Sequence, residues 1–426
     1  MATLREPNWQ AEGFPMAKYN PFFPRSPMPP EAFFGRSVQL EQISRGIFQT
    51  AKGSPQNLLI TGESGIGKTS IAYMAKAIAE KRILWDRTET RPPLLASYVT
   101  VQKNLPSAVV LTQVIRELQE AVSAVSREYS FLEDFVARMR KFAFAGTGFQ
   151  LDSSEIPPAE IYLEAEKTLR TLAKTLSRKN SELGSLCIIV DDLDRMGDFD
   201  MFFSFWKTLQ DKLAADNCRN LMLVLVGLPE IKDRMSAQDE SFPRTFLSIP
   251  LEKLSTDESR AIINKILKNG VPLKEIREEA LAKLLYYSEN HPFLIQEIGY
   301  SAFEVSRNDQ IILGDVELGI QGNERYTGSV QRLGELFFRK TYPEMVQSES
   351  YRELLGLIAQ KSKGERPWVL RRNLLASYSK KPSSLGLNLQ QLVDKGLIIR
   401  NPEKFGEYRL VSSMFQVYVD KIYLPN

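Results

Sequence analysis

The sequence predicts an α/β domain built on a mostly parallel sheet, followed by an all-helical lid and a terminal unit of short helices closed by a hairpin. Three observations carry this prediction. Between residues 31 and 250, short apolar runs alternate with amphipathic stretches, as strands joined by crossover helices do. After Pro250 the strand pattern stops and helical periodicity runs to about Tyr342. Beyond that, three short helical patterns precede two apolar runs around a turn. The expected divisions are 1–30, 31–250, 251–345 and 346–426.

Composition narrows the function. Of 426 residues, 43% are apolar and 25% charged, enough to fill several cores and too apolar for a disordered chain. Two cysteines, Cys187 and Cys218, exclude a multi-bridge disulfide scaffold and fit a reducing compartment. A single histidine, His291, excludes His-rich zinc sites and zincin-type metalloproteases. The longest apolar stretch, Leu221 to Leu228, is far short of the roughly 18 residues of a membrane helix. The N-terminus carries Glu6 and no apolar leader, so a cytoplasmic protein without membrane contact is expected.

The first segment, 1–30, holds seven of the 23 prolines, which rule out a helix or central strand there. It also holds Trp9, Phe14, Tyr19, Phe22 and Phe23, more aromatic surface than a solvated linker carries. Two readings stay open: an arm packed on its own molecule, or one gripping a neighbouring subunit.

In the α/β region the expected strands are Asn57–Thr61, Leu95–Val101, Leu186–Val190, Leu221–Gly227 and Thr245–Ile249. Phe142, Phe144 and Phe149 with Gly146 and Gly148 suggest a small inserted hairpin. Ser255-Thr256-Asp257-Glu258 gives the cap signal that opens the helical segment.

The strongest chemical signal is Gly62-Glu63-Ser64-Gly65-Ile66-Gly67-Lys68-Thr69, which fits GxxxxGK[ST]. An apolar strand precedes it, and a helix-compatible run from Ser70 to Glu80 follows. Glycines let the backbone wrap a phosphate with its N–H groups inward, and the helix N-terminus adds positive potential. Lys68 is expected to reach the outer phosphates of ATP, and the Thr69 hydroxyl to ligate Mg²⁺. A second signal is the acidic pair Asp191-Asp192, which closes the apolar run Leu186-Cys187-Ile188-Ile189-Val190. Asp191 is expected to serve Mg²⁺ and Asp192 to orient the attacking water. Asp194 and Arg195 fit either capping of the next turn or chemistry.

Taken in order, these motifs resemble the AAA+ and STAND-type P-loop ATPases, and the origin-recognition-like branch among them. Phe33-Phe34-Gly35-Arg36, with Leu40, is similar to the hydrophobic-Gly-Arg entry that flanks adenine. Leu225-Val226-Gly227-Leu228-Pro229-Glu230 stands where those families place the sensor-1 strand, with Gly227 in place of their Asn or Thr. Arg244 stands where the origin-recognition-like branch has an arginine before its fifth strand. The resemblance implies an arginine finger reaching a neighbouring subunit; the bland reading pairs Arg244 with Asp239 or Glu240. Asn290-His291-Pro292 is similar to the STAND Gly-x-Pro motif, which implies that Pro292 approaches the base. Asp192 replaces the usual Glu, so slow or partner-dependent hydrolysis is expected.

The C-terminal order resembles a winged helix, which follows the ATPase in many relatives. Between Lys361 and Lys404 ten Lys/Arg face only three acids, giving +7 in a chain of net +3. That segment suits DNA, a protein partner, intramolecular regulation or plain solvation, and Asn388, Gln390 and Gln391 are candidates to read base edges. The expectation is an ATP-dependent switch controlling a protein partner or self-association. Its alternatives are a DNA-bound ATPase of the initiator, loader or transposition-regulator type, and a non-hydrolysing adaptor.

Overall fold

A computed structural model describes residues 19–85, 90–125, 157–178, 183–240, 242–334, 348–362 and 368–423. The aromatic hairpin expected near Phe142–Phe149 lies outside these residues. The chain forms two compact units, one of residues 27–252 and one combining 1–26 with 253–426.

In the first unit the elements run α1 (Ser37–Ala51), β1 (Asn57–Gly62), α2 (Lys68–Ala79), β2 (Leu95–Thr100), α3 (Ser107–Val125), α4 (Pro158–Arg178), β3 (Leu186–Asp191), α5 (Phe199–Ala215), β4 (Leu221–Gly227), α6 (Ile231–Gln238) and β5 (Phe246–Leu251). The five strands lie in the order β2-β3-β4-β1-β5, all parallel. β1, β3 and β4 are buried along their whole length, which is why their sequences read as unbroken apolar runs. Alternate residues serve opposite faces. Leu186, Ile188 and Val190 join Leu221, Leu223 and Leu225 in a core with α3, α4 and α5, including the fully buried Trp206. Cys187 and Ile189 join Met222, Val224 and Val226 in a second core with α1 and α2.

The edge strand β5 begins one residue later than expected, because Thr245 closes a short 3-10 turn from Phe242. Its exposed Leu247 and its Pro250 are features an edge tolerates and a central strand does not.

The second unit holds α7 (Thr256–Leu267), β6 (Glu275–Ile276), α8 (Glu278–Ser288), α9 (Pro292–Val305), β7 (Gln310–Ile311), α10 (Leu313–Gln321), α11 (Ser329–Leu333), α12 (Glu349–Lys361), β8 (Val369–Leu370), α13 (Arg371–Leu375), α14 (Pro382–Asp394), β9 (Ile398–Arg400), β10 (Glu407–Leu410) and α15 (Ser413–Tyr418). The expected cap on α7 is a reciprocal box: Ser255 Oγ accepts from Glu258 N–H, and the Glu258 carboxylate accepts from Ser255 N–H at 3.1 Å.

Strands do not stop after Pro250. β6 and β7 pair in parallel, and β8 stands among the three short helical patterns expected beyond Tyr342. There Val369 and Leu370 pair with Tyr408 and Glu407, and the Arg409 guanidinium lies 5.2 Å from the Trp368 ring centre. β8, β10 and β9 make an antiparallel sheet against which Leu385, Leu389 and Leu392 of α14 are buried.

The proline-rich arm has partners in its own chain. Tyr19 and Val271 exchange two backbone hydrogen bonds, and Asn20 donates to Tyr300 O and Glu304. Phe22 is buried over Gly299, and Phe23 N–H donates to Gln296 at 2.8 Å. Asn20, Phe22 and Phe23 thus pack on α9.

Candidate nucleotide-binding site

The strand order dictates where a site can form. β4 lies between β1 and β3, with Thr61 opposite Gly227 and Val190 opposite Leu225. Parallel strands end at one edge, so the loop after β1 and the acids after β3 share it, where open α/β sheets bind ligands. The loop Glu63–Gly67 turns from β1 into α2, whose N-cap is Gly67 with φ 101°. A side chain at that angle is strained, so glycine is required there. Lys68 is buried, and its Nζ donates to the carbonyls of Gly62 and Glu63, both at 2.9 Å. Burial pulls the Lys68 ammonium below its usual range, opposed by the charges of Asp194, Asp191 and Asp192.

Neighbouring segments brace the loop. Gly35 and Arg36 adopt consecutive left-handed conformations before α1, and the buried Arg36 guanidinium donates to Ile66 O at 3.2 Å. Ser70 Oγ accepts the Met28 N–H at 2.9 Å, so this hydroxyl serves the incoming chain. At the far end of α2, the buried Arg91 donates to the carbonyls of Ile78 and Ala79. A cation on those carbonyls complements the helix dipole whose other end forms the loop. Composition offers no signal for Arg91, because its role depends on chain return.

Asp191 is fully buried and continues the face of β3 that packs toward α2. Its Oδ1 accepts the Asp192 N–H at 2.8 Å and its Oδ2 accepts the Tyr98 hydroxyl at 2.7 Å. Among the described residues no lysine or arginine makes an ion pair with it. A buried carboxylate held by two neutral donors calls for a cation. No group of three or more His, Cys, Asp or Glu converges as a cage among the described residues. A hard cation that draws most of its oxygen ligands from outside the protein, as Mg²⁺ does, would suit Asp191, and the Thr69 hydroxyl at the start of α2 is the other residue that could hold it.

Asp192 sits in the left-handed region (φ 57°) and pairs with Arg195 at 3.1 Å. Burial, then the charge of Asp191, raises its carboxyl above the ordinary value. Asp194 does not cap the turn that follows it but reaches the end of β4, where its Oδ1 accepts the Leu228 N–H at 3.1 Å. A Cβ at Gly227, where a sensor side chain was sought, would lie 2.0 Å from the tip of Ile231 and 3.0 Å from that same oxygen, so a larger residue would have to displace both side chains.

Five other expected residues lie outside the loop and the end of β3 in the sequence. Arg244 is exposed and has no acid partner among the described residues, since Asp239 is taken by Lys207. Pro292 opens α9 in the second unit, after Glu289 and Asn290, both left-handed. Asn388, Gln390 and Gln391 are engaged internally: Asn388 donates to Tyr378, Gln391 accepts from Tyr351, and Gln390 bonds Asp394 and Arg400. Sequence reading missed Tyr98, although its two-residue offset from Thr100, which pairs with Asp191, places it diagonally beside that acid.

Sheet order, loop and acidic strand end together define a P-loop ATPase fold of the AAA+ kind. Residues 32–224 match the family model described as an AAA ATPase domain. No curated protein matches the sequence. Among solved structures, the chain is similar to the ORC2 protein of Aeropyrum pernix in its ADPNP–ADP complexes, with 16% identity over 93% of this chain and 95% of that one and a TM-score of 0.55. It is also similar to Cdc6p from Pyrobaculum aerophilum, with 14% identity over 90% and 92% of the two chains and a TM-score of 0.46. The Aeropyrum pernix ORC1 protein in complex with DNA matches at 12% identity over 92% and 93%, with a TM-score of 0.43. Among the described residues no helix is long and apolar enough to cross a membrane.

Proposed function

We propose that the protein is an ATP-binding, ATP-hydrolysing switch of the AAA+ or STAND-like kind, whose nucleotide state controls a partner or self-association. The observation that carries this is the convergence of Lys68 and the buried, cation-seeking Asp191 at one sheet edge. The loop from Gly62 to Ser70 holds the phosphates, with Gly35 and Arg36 beside it. Thr69 and Asp191 hold Mg²⁺, which supplies charge neutralisation on the phosphates when bound. Asp192 orients the water and takes its proton as oxygen adds to the γ-phosphorus and the bond to ADP breaks. A carboxylate of raised pKa suits that task.

In this reading Pro292 closes over the base, and Arg244, exposed and unpaired with any described acid, reaches a second protomer's nucleotide. The Asn290 turn is wired to its surroundings: Leu254 N–H donates to Asn290 O, and Glu289 accepts from Lys253, Arg409 and Ser413. Displacement of that turn by nucleotide therefore bears directly on the C-terminal segment. Only a difference in ATP affinity between the two arrangements can shift their populations. Amide exchange with and without a non-hydrolysable ATP analogue tests the switch. Protection is expected at the loop and at 289–292; protection confined to the loop contradicts it.

A second reading is a DNA-bound ATPase of the initiator type, with residues 346–426 as a winged helix. Its helix–strand–helix–helix–hairpin order supports this, and Arg371, Arg372, Lys381, Lys395 and Lys404 are exposed without ion pairs among the described residues. Duplex affinity should then fall linearly with log salt. Binding indifferent to salt excludes it.

A further inference from the structure

Asp191 is held by an unusual neighbour. Tyr98 lies near the end of β2, its hydroxyl accepting from Thr100 at 3.3 Å and donating to Asp191 Oδ2 at 2.7 Å. Burial and the Asp191 charge push this phenol well above its usual range, so it stays a neutral donor. Its ring meets the Tyr73 ring edge-on, with centres 4.9 Å apart. Tyr73 stands four residues after Thr69 on α2, on the same helical face. A chain of contacts thus runs from the helix that carries Thr69, through two tyrosines, to the carboxylate on β3.

We propose that Tyr98 is the positioning residue of the metal-binding carboxylate: its hydroxyl fixes the rotation of Asp191, and the Tyr73 ring ties that rotation to α2. The inference rests on the reading that Thr69 and Asp191 serve a metal–nucleotide complex. With Oδ1 held by Asp192 N–H and Oδ2 by Tyr98, the carboxylate has no free rotation, and each oxygen keeps one lone pair for a cation or its water. Hydrogen-bond partners behind a ligand typically contribute ten- to hundredfold in metal affinity. No ion pair in the described structure substitutes for this restraint.

The test uses the full-length chain and Mn²⁺ as an electron-paramagnetic probe in the presence of a non-hydrolysable ATP analogue. Tyr98→Phe keeps the ring against Tyr73 and deletes only the donor. Nucleotide affinity in EDTA should be unchanged, whereas Mn²⁺ affinity of the nucleotide complex should fall about tenfold. Turnover should then require more Mg²⁺ without a matching rise in the KM for ATP. Tyr73→Leu should shift Mn²⁺ affinity the same way by a smaller factor, and it carries the test should the Phe variant fold poorly. Unchanged Mn²⁺ affinity in both variants, with the parent binding nucleotide normally, overturns the role of Tyr98. A parent chain that shows no metal-dependent nucleotide binding overturns the underlying reading instead.

Discussion

The sheet edge beside Lys68 and the basic face of the C-terminal segment both gather charge, but the fold treats them differently. At the sheet edge the charged groups are buried and locked: Lys68 by two carbonyls, Asp191 by Tyr98 and a backbone N–H, Arg36 against Ile66. On the C-terminal face Arg371, Arg372, Lys381, Lys395 and Lys404 are exposed, while the amides near them are spent on internal bonds. The first arrangement is preorganised for one small, highly charged ligand. The second offers exposed charge beside amides already engaged within the chain, which suits backbone contacts to an extended polyanion or an acidic protein surface.

The largest expected effect breaks the first region chemically. Asp192→Asn should keep ATP affinity while lowering phosphate release by about a hundredfold or more, the usual contribution of a general base. Asp194→Asn retains an acceptor for the Leu228 N–H and should leave the melting temperature in place; a larger loss of turnover there than in Asp192→Asn would reassign the water-orienting group.

In the second region, replacing Arg371, Arg372 and Lys404 together with Ala should flatten the salt dependence of duplex binding by roughly 0.9 log units per lost phosphate contact. Asn388→Ala should leave any sequence preference unaltered, and a relaxed preference at one base pair would show that α14 reads sequence after all.

Glu289 joins the two behaviours, being both half-buried and wired. Burial would raise its pKa, but the Lys253 bond and charge, the Ser413 N–H and the Arg409 charge hold it below the ordinary value. A lowered folded pKa means that stabilisation is complete above the ordinary carboxylate range and is lost as pH falls through the folded value. Glu289→Gln should therefore destabilise the protein by about 1–3 kcal/mol at neutral pH. The difference from the parent should vanish in acid, as read from denaturant midpoints. A pH-independent difference would mean that packing, not charge, holds this junction.

Much of the first region was legible because its determinants are local. The strict parity of β3 and β4, the glycines of the loop and the position of the acidic pair all follow from neighbouring residues. What pairs at long range was not. β6, β7 and β8 are two residues each, and their partners lie far along the chain, so no periodicity marks them. Tyr98 was hidden for the same reason, since its meaning depends on β2 lying beside β3. The amides of α14, named as candidates to read base edges, depend on the same distant partners. Tyr351, Tyr378 and Arg400 arrive from other elements to bond them.

Calorimetric titration of the parent chain and of Lys68→Ala with an ATP analogue and Mg²⁺ tests the central claim most directly. The parent should bind tightly, and the variant should lose about a hundredfold or more of that affinity, because one buried ammonium supplies a charge-assisted contact to the outer phosphates. Equal affinity in the two proteins would contradict the assignment of this sheet edge as the nucleotide site.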